Sequence, residues 1–378
     1  MKLRTKCKLI LLMVLVVCIF TACNKKDTTI GETSKIFDGF IISDSVVLQK
    51  PTSYIHIYDF ETGKNQYLCN IPNCSHSTAD CTARTDLMYP FYFDNNLYLF
   101  GSEDGENYTL YQCNRYGENR RAWIENLEGH PRPDVMVIFE ETLYYGASCW
   151  DKEKEEDYGV IYSVNLKNKE VQRYYIENHK EALSKVLVNN QSIFYTTGST
   201  NLNLNEYIDF ETGNISDIPW DELVTYTNYY QIGKSTGETK LLKCVESTSN
   251  NVVSGLISVD EDHLFYYLKD GIYEYCLDTG ISNQIFAYTG EQIIDSIKMI
   301  DHMFLLELYE ENIFLDKTFA LIDNGRVVLE VENDNLSSYL GQIGERLFFH
   351  GINGLYMISY DDFINKRDNF MWLVDFVY

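Results

Sequence analysis

The chain has 378 residues, 45% of them apolar, and carries 31 Lys and Arg against 56 Asp and Glu, a net charge of −25. The apolar content excludes wholesale disorder, and the shortage of cations excludes nucleic acid as a partner, because phosphate binding needs clustered positive charge. Thirty Tyr and 20 Phe against only 6 Pro favour strands over helices.

The N-terminus begins with Lys2, Arg4, Lys6 and Lys8, followed by an unbroken apolar run from Leu9 to Phe20 and then Thr21-Ala22-Cys23. A charged start, an apolar stretch and small residues at the end make a secretory leader. The run is too short for a membrane span, which needs about 20 apolar residues. Phe20-Thr21-Ala22-Cys23 resembles the bacterial lipoprotein signal. That resemblance implies that residues 1–22 are removed and that Cys23 carries a lipid, placing the protein on the extracytoplasmic side of the cell membrane. Two acyl chains on one cysteine suffice for stable anchoring. Residues 23–35 are polar and aperiodic and read as a flexible tether. Loss of the four leader cations takes the mature chain to about −29.

From residue 36 onward long helical periodicity is absent; only Glu177 to Val188 hints at a short helix. Instead, a polar turn followed by an apolar or aromatic run recurs. Its copies begin at Asp38, Asp94, Glu140, Asn190, Asn228, Glu261, Asp301 and Gly344, a mean spacing of roughly 44 residues. A second turn recurs between them. Tyr58-Asp59-Phe60-Glu61-Thr62-Gly63-Lys64 is nearly repeated as Ile208-Asp209-Phe210-Glu211-Thr212-Gly213-Asn214, with shorter versions at Asn114, Asp278 and Asp323. Two hairpins per unit mean about four strands, and four short strands repeated radially make a β-propeller blade. The expected fold is therefore all-β: one propeller over residues 36–378, of eight or seven blades. The anchor count favours eight, although the Tyr229 unit is short.

The C-terminal run Phe370 to Tyr378 is apolar except for Asp375. This predicts a strand buried on both faces. It is expected to lie beside the segment around Ile36 to Ile42 and so close the ring.

The one dense chemical cluster is Cys69, Cys74, His76 and Cys81. Three thiolates and an imidazole are a full set of ligands for one structural zinc, with no position left open for catalysis. The cluster falls between two units, so it is a loop inserted at a blade junction. A disulfide, Cys69–Cys81 or Cys74–Cys81, fits the same residues in an oxidising compartment. The mature chain has seven cysteines besides Cys23, so at least one cannot pair within the chain. Cys113, Cys149, Cys244 and Cys276 lie in or at the ends of strands and read as small buried apolar residues.

The repeat texture and the Cys-x-x-Pro-x-Cys-x-His segment from Cys69 to His76 resemble the tyrosine-rich propeller lipoproteins of clostridia and related Gram-positive bacteria. No catalytic motif is present. His263 and His302 occupy the turns entering neighbouring units. The acidic pairs Asp361-Asp362 and Glu310-Glu311 would point to opposite faces on strands. The run Asp151 to Asp157 reads as a solvated hairpin tip. The expected function is a lipid-anchored binding module for a protein or glycan, with no cofactor beyond the zinc. The alternative is a propeller enzyme, a hydrolase or lyase acting on polysaccharide or peptide at an axial site.

Overall fold

A computed structural model describes residues from Lys35 to Asp375, apart from short stretches of which 203–221 and 248–253 are the longest. The second copy of the Asp-Phe-Glu-Thr-Gly turn, Cys23 and the leader lie outside the described residues. The chain is an all-β propeller. Among the described residues seven antiparallel sheets follow one another along the chain: residues 35–67, 88–128, 130–175, 182–247, 254–287, 293–332 and 336–375, taken below as blades 1 to 7. Each blade has four strands in sequence order, and blade 1 has a fifth.

The recurring turns work as their residue types require. In blade 1, Asp59 Oδ1 accepts hydrogen bonds from Thr62 N–H at 2.7 Å and Thr62 Oγ1 at 2.9 Å, and Gly63 takes a φ of +65° that closes the hairpin. Asn324 and Gly325, at φ +48° and +71°, form the equivalent turn in blade 6, where both central residues need positive φ.

The eightfold expectation resolves to seven. The Tyr229 unit is the third strand of blade 4: Thr225–Gly233 pairs with Ser192–Thr200 on one side and Thr239–Ser247 on the other, with Tyr195 opposite Tyr230. The insertion 203–221 separates it from its blade in sequence, so it imitates the start of a new one.

The expected helix at Glu177 to Val188 is a correction. Residues 177–181 lie outside the described residues, and Ala182–Val188 is the first strand of blade 4, with buried Leu183, Val186 and Val188 facing one core. The chain does form a short helix, Tyr360–Ile364, capped by the Ser359 hydroxyl, which accepts from Asp362 N–H. Asp361 and Asp362 are therefore in a helical first turn, not on a strand, and both bond Arg367 at 3.0 Å.

Apolar clusters fill the junctions between blades. Phe100 and Tyr145 meet between blades 2 and 3; Phe194, Tyr229 and Tyr266 between blades 4 and 5; Leu305, Phe319, Tyr339 and Phe349 between blades 6 and 7. Tyr144, Tyr145 and Tyr266 are buried.

The ring closes by packing. Ile42, Val47 and Tyr58 of blade 1 share a core with Leu340, Phe348, Leu355 and Leu373 of blade 7, and Arg346 Nη1 donates to Asp44 O at 2.8 Å. The two ends of the propeller thus meet, but no strand is exchanged: Met371–Asp375 pairs with Gly354–Ser359 of its own blade. It is an outer strand, so only one face is covered. Leu373 is 4% exposed, whereas Met371 and Trp372 are 52% and 48% exposed. That corrects the expectation of burial on both faces; Phe376 lies outside the described residues.

Lys35, which the sequence assigns to the tether, begins the extra strand of blade 1. Lys35–Phe37 pairs with Phe40–Ile42, lies against the first strand of blade 3, His130–Phe139, and sends Lys35 Nζ to Gln342 O in blade 7 at 3.3 Å. A three-residue strand that touches blades 1, 3 and 7 can only lie in the axis of the ring. Among the described residues no helix is long and apolar enough to cross a membrane.

Candidate metal centre

The last strand of blade 1, Lys64–Tyr67, leads into a loop that returns to blade 2 at Met88. Its two ends are fixed to the core. Ile55 N–H donates to Ala83 O, Leu68 N–H to Ile55 O, and Thr85 N–H to Ser53 O, all at 2.8–2.9 Å. Leu68, Cys81, Ala83 and Thr85 are buried. Arg120 of blade 2 donates to Thr85 Oγ1 at 2.9 Å, so the loop is held against both blades. Between these anchors the chain must reverse sharply, and Asn73 and His76 do so at φ +57° and +58°.

The reversal gathers the four predicted residues. The ligand atoms of Cys69, Cys74, His76 and Cys81 all lie within 4.8 Å of one another. His76 Nδ1 is 3.2 Å from Cys81 Sγ, and the His76 N–H points to Cys74 Sγ at 3.4 Å. Ligands of a tetrahedral zinc, with bonds near 2.3 Å to sulfur and 2.0 Å to nitrogen, stand about 3.7 Å apart. Small side-chain rotations would bring the set to that spacing, so this Cys₃His cluster could hold a metal ion. The three cysteines are not joined as disulfides.

Electrostatics favour thiolate at the inner end of the cluster. Burial opposes the charge on Cys69, but the Ile71 N–H, the Thr82 hydroxyl and the two neighbouring thiols outweigh it, and the Cys69 thiol sits below its ordinary range. At Cys74 the His76 N–H favours the thiolate, yet desolvation and the adjacent Cys69 and Cys81 win, and that thiol is raised. Crowded thiols that cannot all ionise together are what a cation would relieve.

The spacing of the cysteines did not reveal the support around them. The Tyr67 ring lies tilted against the His76 ring at 4.4 Å between centroids and against the His56 ring at 4.6 Å, with Tyr54 at 5.3 Å. These aromatic contacts pack against the one imidazole in the cluster. The alternation of His56 and Tyr58 with their partners across the hairpin was the available signal, since His56 pairs directly with Tyr67.

The remaining candidates stay apart. His263 approaches Asp260 at 3.5 Å, and His302 bonds Asp301 at 2.9 Å, each a local turn contact. Cys113 and Cys149 are buried as expected, but Cys244 is exposed and Cys276 half-buried, a correction to the reading that all four were core residues. Cys244 lies on the partly exposed outer strand of blade 4, Thr239–Ser247, and Cys276 ends the third strand of blade 5, Gly271–Cys276. Asp151 and Glu156 flank the hairpin of blade 3 as expected, with Glu153 exposed at its tip. Glu310 ends a strand, and Glu311 lies outside the described residues.

No family model matches the chain, and no curated protein matches it. Solved structures do. An acylaminoacyl peptidase of Pyrococcus horikoshii aligns with 91% of this chain and 52% of its own at 12% identity and a TM-score of 0.53. A prolyl endopeptidase aligns with 91% of this chain and 50% of its own at 12% identity and a TM-score of 0.55. A puromycin-hydrolysing peptidase of Mycobacterium tuberculosis aligns over 91% and 54% at 10% identity and a TM-score of 0.53. This chain spans about half the length of those proteins. At such identity the likeness is one of fold.

Proposed function

We propose that the protein is a lipid-anchored, extracytoplasmic β-propeller that binds a protein or glycan partner, with Cys23 as the lipid site and one zinc held by Cys69, Cys74, His76 and Cys81. The observation that carries this reading is the strand Lys35–Phe37 in the ring axis. This strand runs where a propeller enzyme would build an axial site, which supports recognition at the ends and rim of the ring. This weighs against the hydrolase or lyase alternative. The metal loop fits a bracing role, because four protein ligands complete the coordination and both loop ends are fastened to neighbouring blades. The leader and the cysteine that follows it supply the address. The test is capture from envelope extract and from a glycan array by the mature domain, with a variant carrying Cys69→Ser and Cys81→Ser run beside it. Retention of a defined protein or sugar supports the reading. Turnover of a polysaccharide or peptide with no stable capture overturns it in favour of the enzyme.

A further inference from the structure

One crossing between blades is made by a single residue. Blade 2 ends at Glu128, and the innermost strand of blade 3 begins at His130. Gly129 joins them at a φ of +81°, and a Cβ there would collide with Cys149 Sγ and lie 2.7 Å from Ser148 O. Only glycine permits so close a turn. The tight crossing sets His130 against blade 2. Its Nδ1 lies 2.6 Å from the Tyr108 hydroxyl and its Nε2 3.2 Å from the Tyr89 hydroxyl.

Tyr89 is strained. Its φ is +53° and Pro90 follows it, and a bulky residue before proline rarely adopts that conformation. Strain of this kind gathers at functional sites. Tyr89 and Pro90 make a bulge in the innermost strand of blade 2, where the ladder slips between Met88 and Phe91. The innermost strand of blade 3 bulges too: Pro133, Asp134 and Val135 have no counterpart between Arg132 and Met136. Both bulges lie near the starts of strands that run into the hairpins at Asp94 and Glu140, and the Tyr89–His130 bond joins them. They therefore share the end of the ring opposite those hairpins. Arg132 reaches from its bulge to Leu183 O of blade 4 and to the Asp134 carboxylate. Asp134 is exposed, and its other oxygen has no partner among the described residues.

The proton pattern follows from burial. Tyr108 is 4% exposed, and His130 is the acceptor its hydroxyl reaches. A buried hydroxyl without an acceptor is costly, so Tyr108 donates to Nδ1. In the neutral ring Nε2 then carries the hydrogen and donates to the Tyr89 oxygen. The Tyr89 proton is left to point outward. Burial first, then the charges of Tyr108 and Asp134, raise the Tyr89 hydroxyl above its ordinary range, which keeps it a donor. We propose that Tyr89, His130, Arg132 and Asp134 form a saccharide subsite that takes the hydroxyls of an uncharged glycan at this end of the ring. This rests on the reading of the protein as a binding module and names its partner as a glycan. Tyr89 donates to one hydroxyl, and Asp134 accepts from another. Arg132 balances the Asp134 charge. A protein interface draws its affinity from large side chains buried by the partner. Here the Tyr89 and Tyr108 rings already pack into the core of blades 2 and 3, which leaves hydrogen bonding as what the set offers. An acidic glycan is disfavoured by Asp134 and by the charge of −25 on the chain.

The experiment titrates the mature chain by calorimetry with cello-, malto-, manno-, xylo- and galacto-oligosaccharides, with N-acetylglucosamine oligomers, and with alginate oligomers as the charged control. At least one uncharged oligomer is expected to bind. Tyr89→Phe, which removes only the hydroxyl, and Asp134→Asn should each weaken it about tenfold, the worth of one hydrogen bond to the site. Thermal unfolding checks that both variants fold; should Asp134→Asn fail to, Tyr89→Phe decides. Sugar binding that neither substitution weakens overturns the subsite and leaves the binding module standing. So does tighter binding of alginate than of any uncharged oligomer, or a chain that ignores every sugar but captures a protein from envelope extract. A chain that retains neither sugar nor protein overturns the binding reading itself, and the subsite with it.

Discussion

Glu307 is 1% exposed, yet it lies among apolar side chains between blades 6 and 7. Its position follows from a main-chain need. Tyr339 lies on the innermost strand of blade 7, where the ladder slips on both sides of it. Its N–H donates to Glu307 Oε1 at 2.7 Å, and its C=O accepts from Lys298 Nζ at 2.6 Å. Two side chains of one blade thus cap both main-chain groups of a residue in the next. Glu307→Ala leaves a buried N–H unpaired and Lys298 without its nearby carboxylate. Breaking such a buried set by removing one partner costs about 3–5 kcal/mol. Because Lys298 keeps some solvent contact, the expected loss is about 3 kcal/mol.

Glu307→Gln keeps the acceptor and should cost under about 1.5 kcal/mol at pH 7, by the net worth of one hydrogen bond. Burial raises the Glu307 carboxyl above its ordinary range, with Lys298 and the Tyr339 N–H pulling only partly back. Well below pH 4 both folded and unfolded states hold the proton and the group contributes nothing. As pH rises from the unfolded value to the raised folded one, the unfolded state releases its proton first, so this group lowers stability with rising pH. The Gln variant should lose that slope. Urea unfolding followed by tryptophan fluorescence at pH 4.5, 6 and 7.5 measures both effects. A Glu307→Ala protein within 0.5 kcal/mol of wild type (below the roughly 1 kcal/mol of an ordinary hydrogen bond) would refute the clamp.

Protein purified under reducing conditions should carry about one zinc per chain and lose it on Cys81→Ser or on acidification, since the ligands must be deprotonated; a metal-free protein with a Cys69, Cys74 or Cys81 disulfide in its peptide map would refute the metal reading. Cys23→Ala should leave the leader uncleaved or release the protein from membranes, which mass and detergent partitioning report. In blade 7, Leu373→Ala should cost about 2–5 kcal/mol and Trp372→Ala under about 1, because only Leu373 reaches the closing core; equal losses in thermal unfolding would restore a strand buried on both faces. The buried Tyr145 hydroxyl has no hydrogen-bond partner among the described residues, so Tyr145→Phe should be neutral or slightly stabilising, and a loss above about 1 kcal/mol would mean that the hydroxyl is bonded through water.

The sequence determined what depends on short-range pattern. A turn residue acts within its own hairpin, so Asp59 to Gly63 could be read directly. The four cluster residues are close in the chain and a loop of that length has little choice but to bring them near each other. Blade number, by contrast, turned on which strand pairs with which. An insertion between Thr200 and Thr225 hides the pairing of Thr225–Gly233 from any count of units. Burial at the C-terminus was decided by rank within the blade: Met371 and Trp372 look like core residues and are not, because they lie on its outermost strand, away from the packed inner strands. Glu307 and Lys298 carry no motif at all. Their partner Tyr339 is more than thirty residues away and is met through its backbone, which every residue possesses. The axial strand is the sharpest case: three residues at the end of a polar tether acquire their place only once blades 1, 3 and 7 surround them.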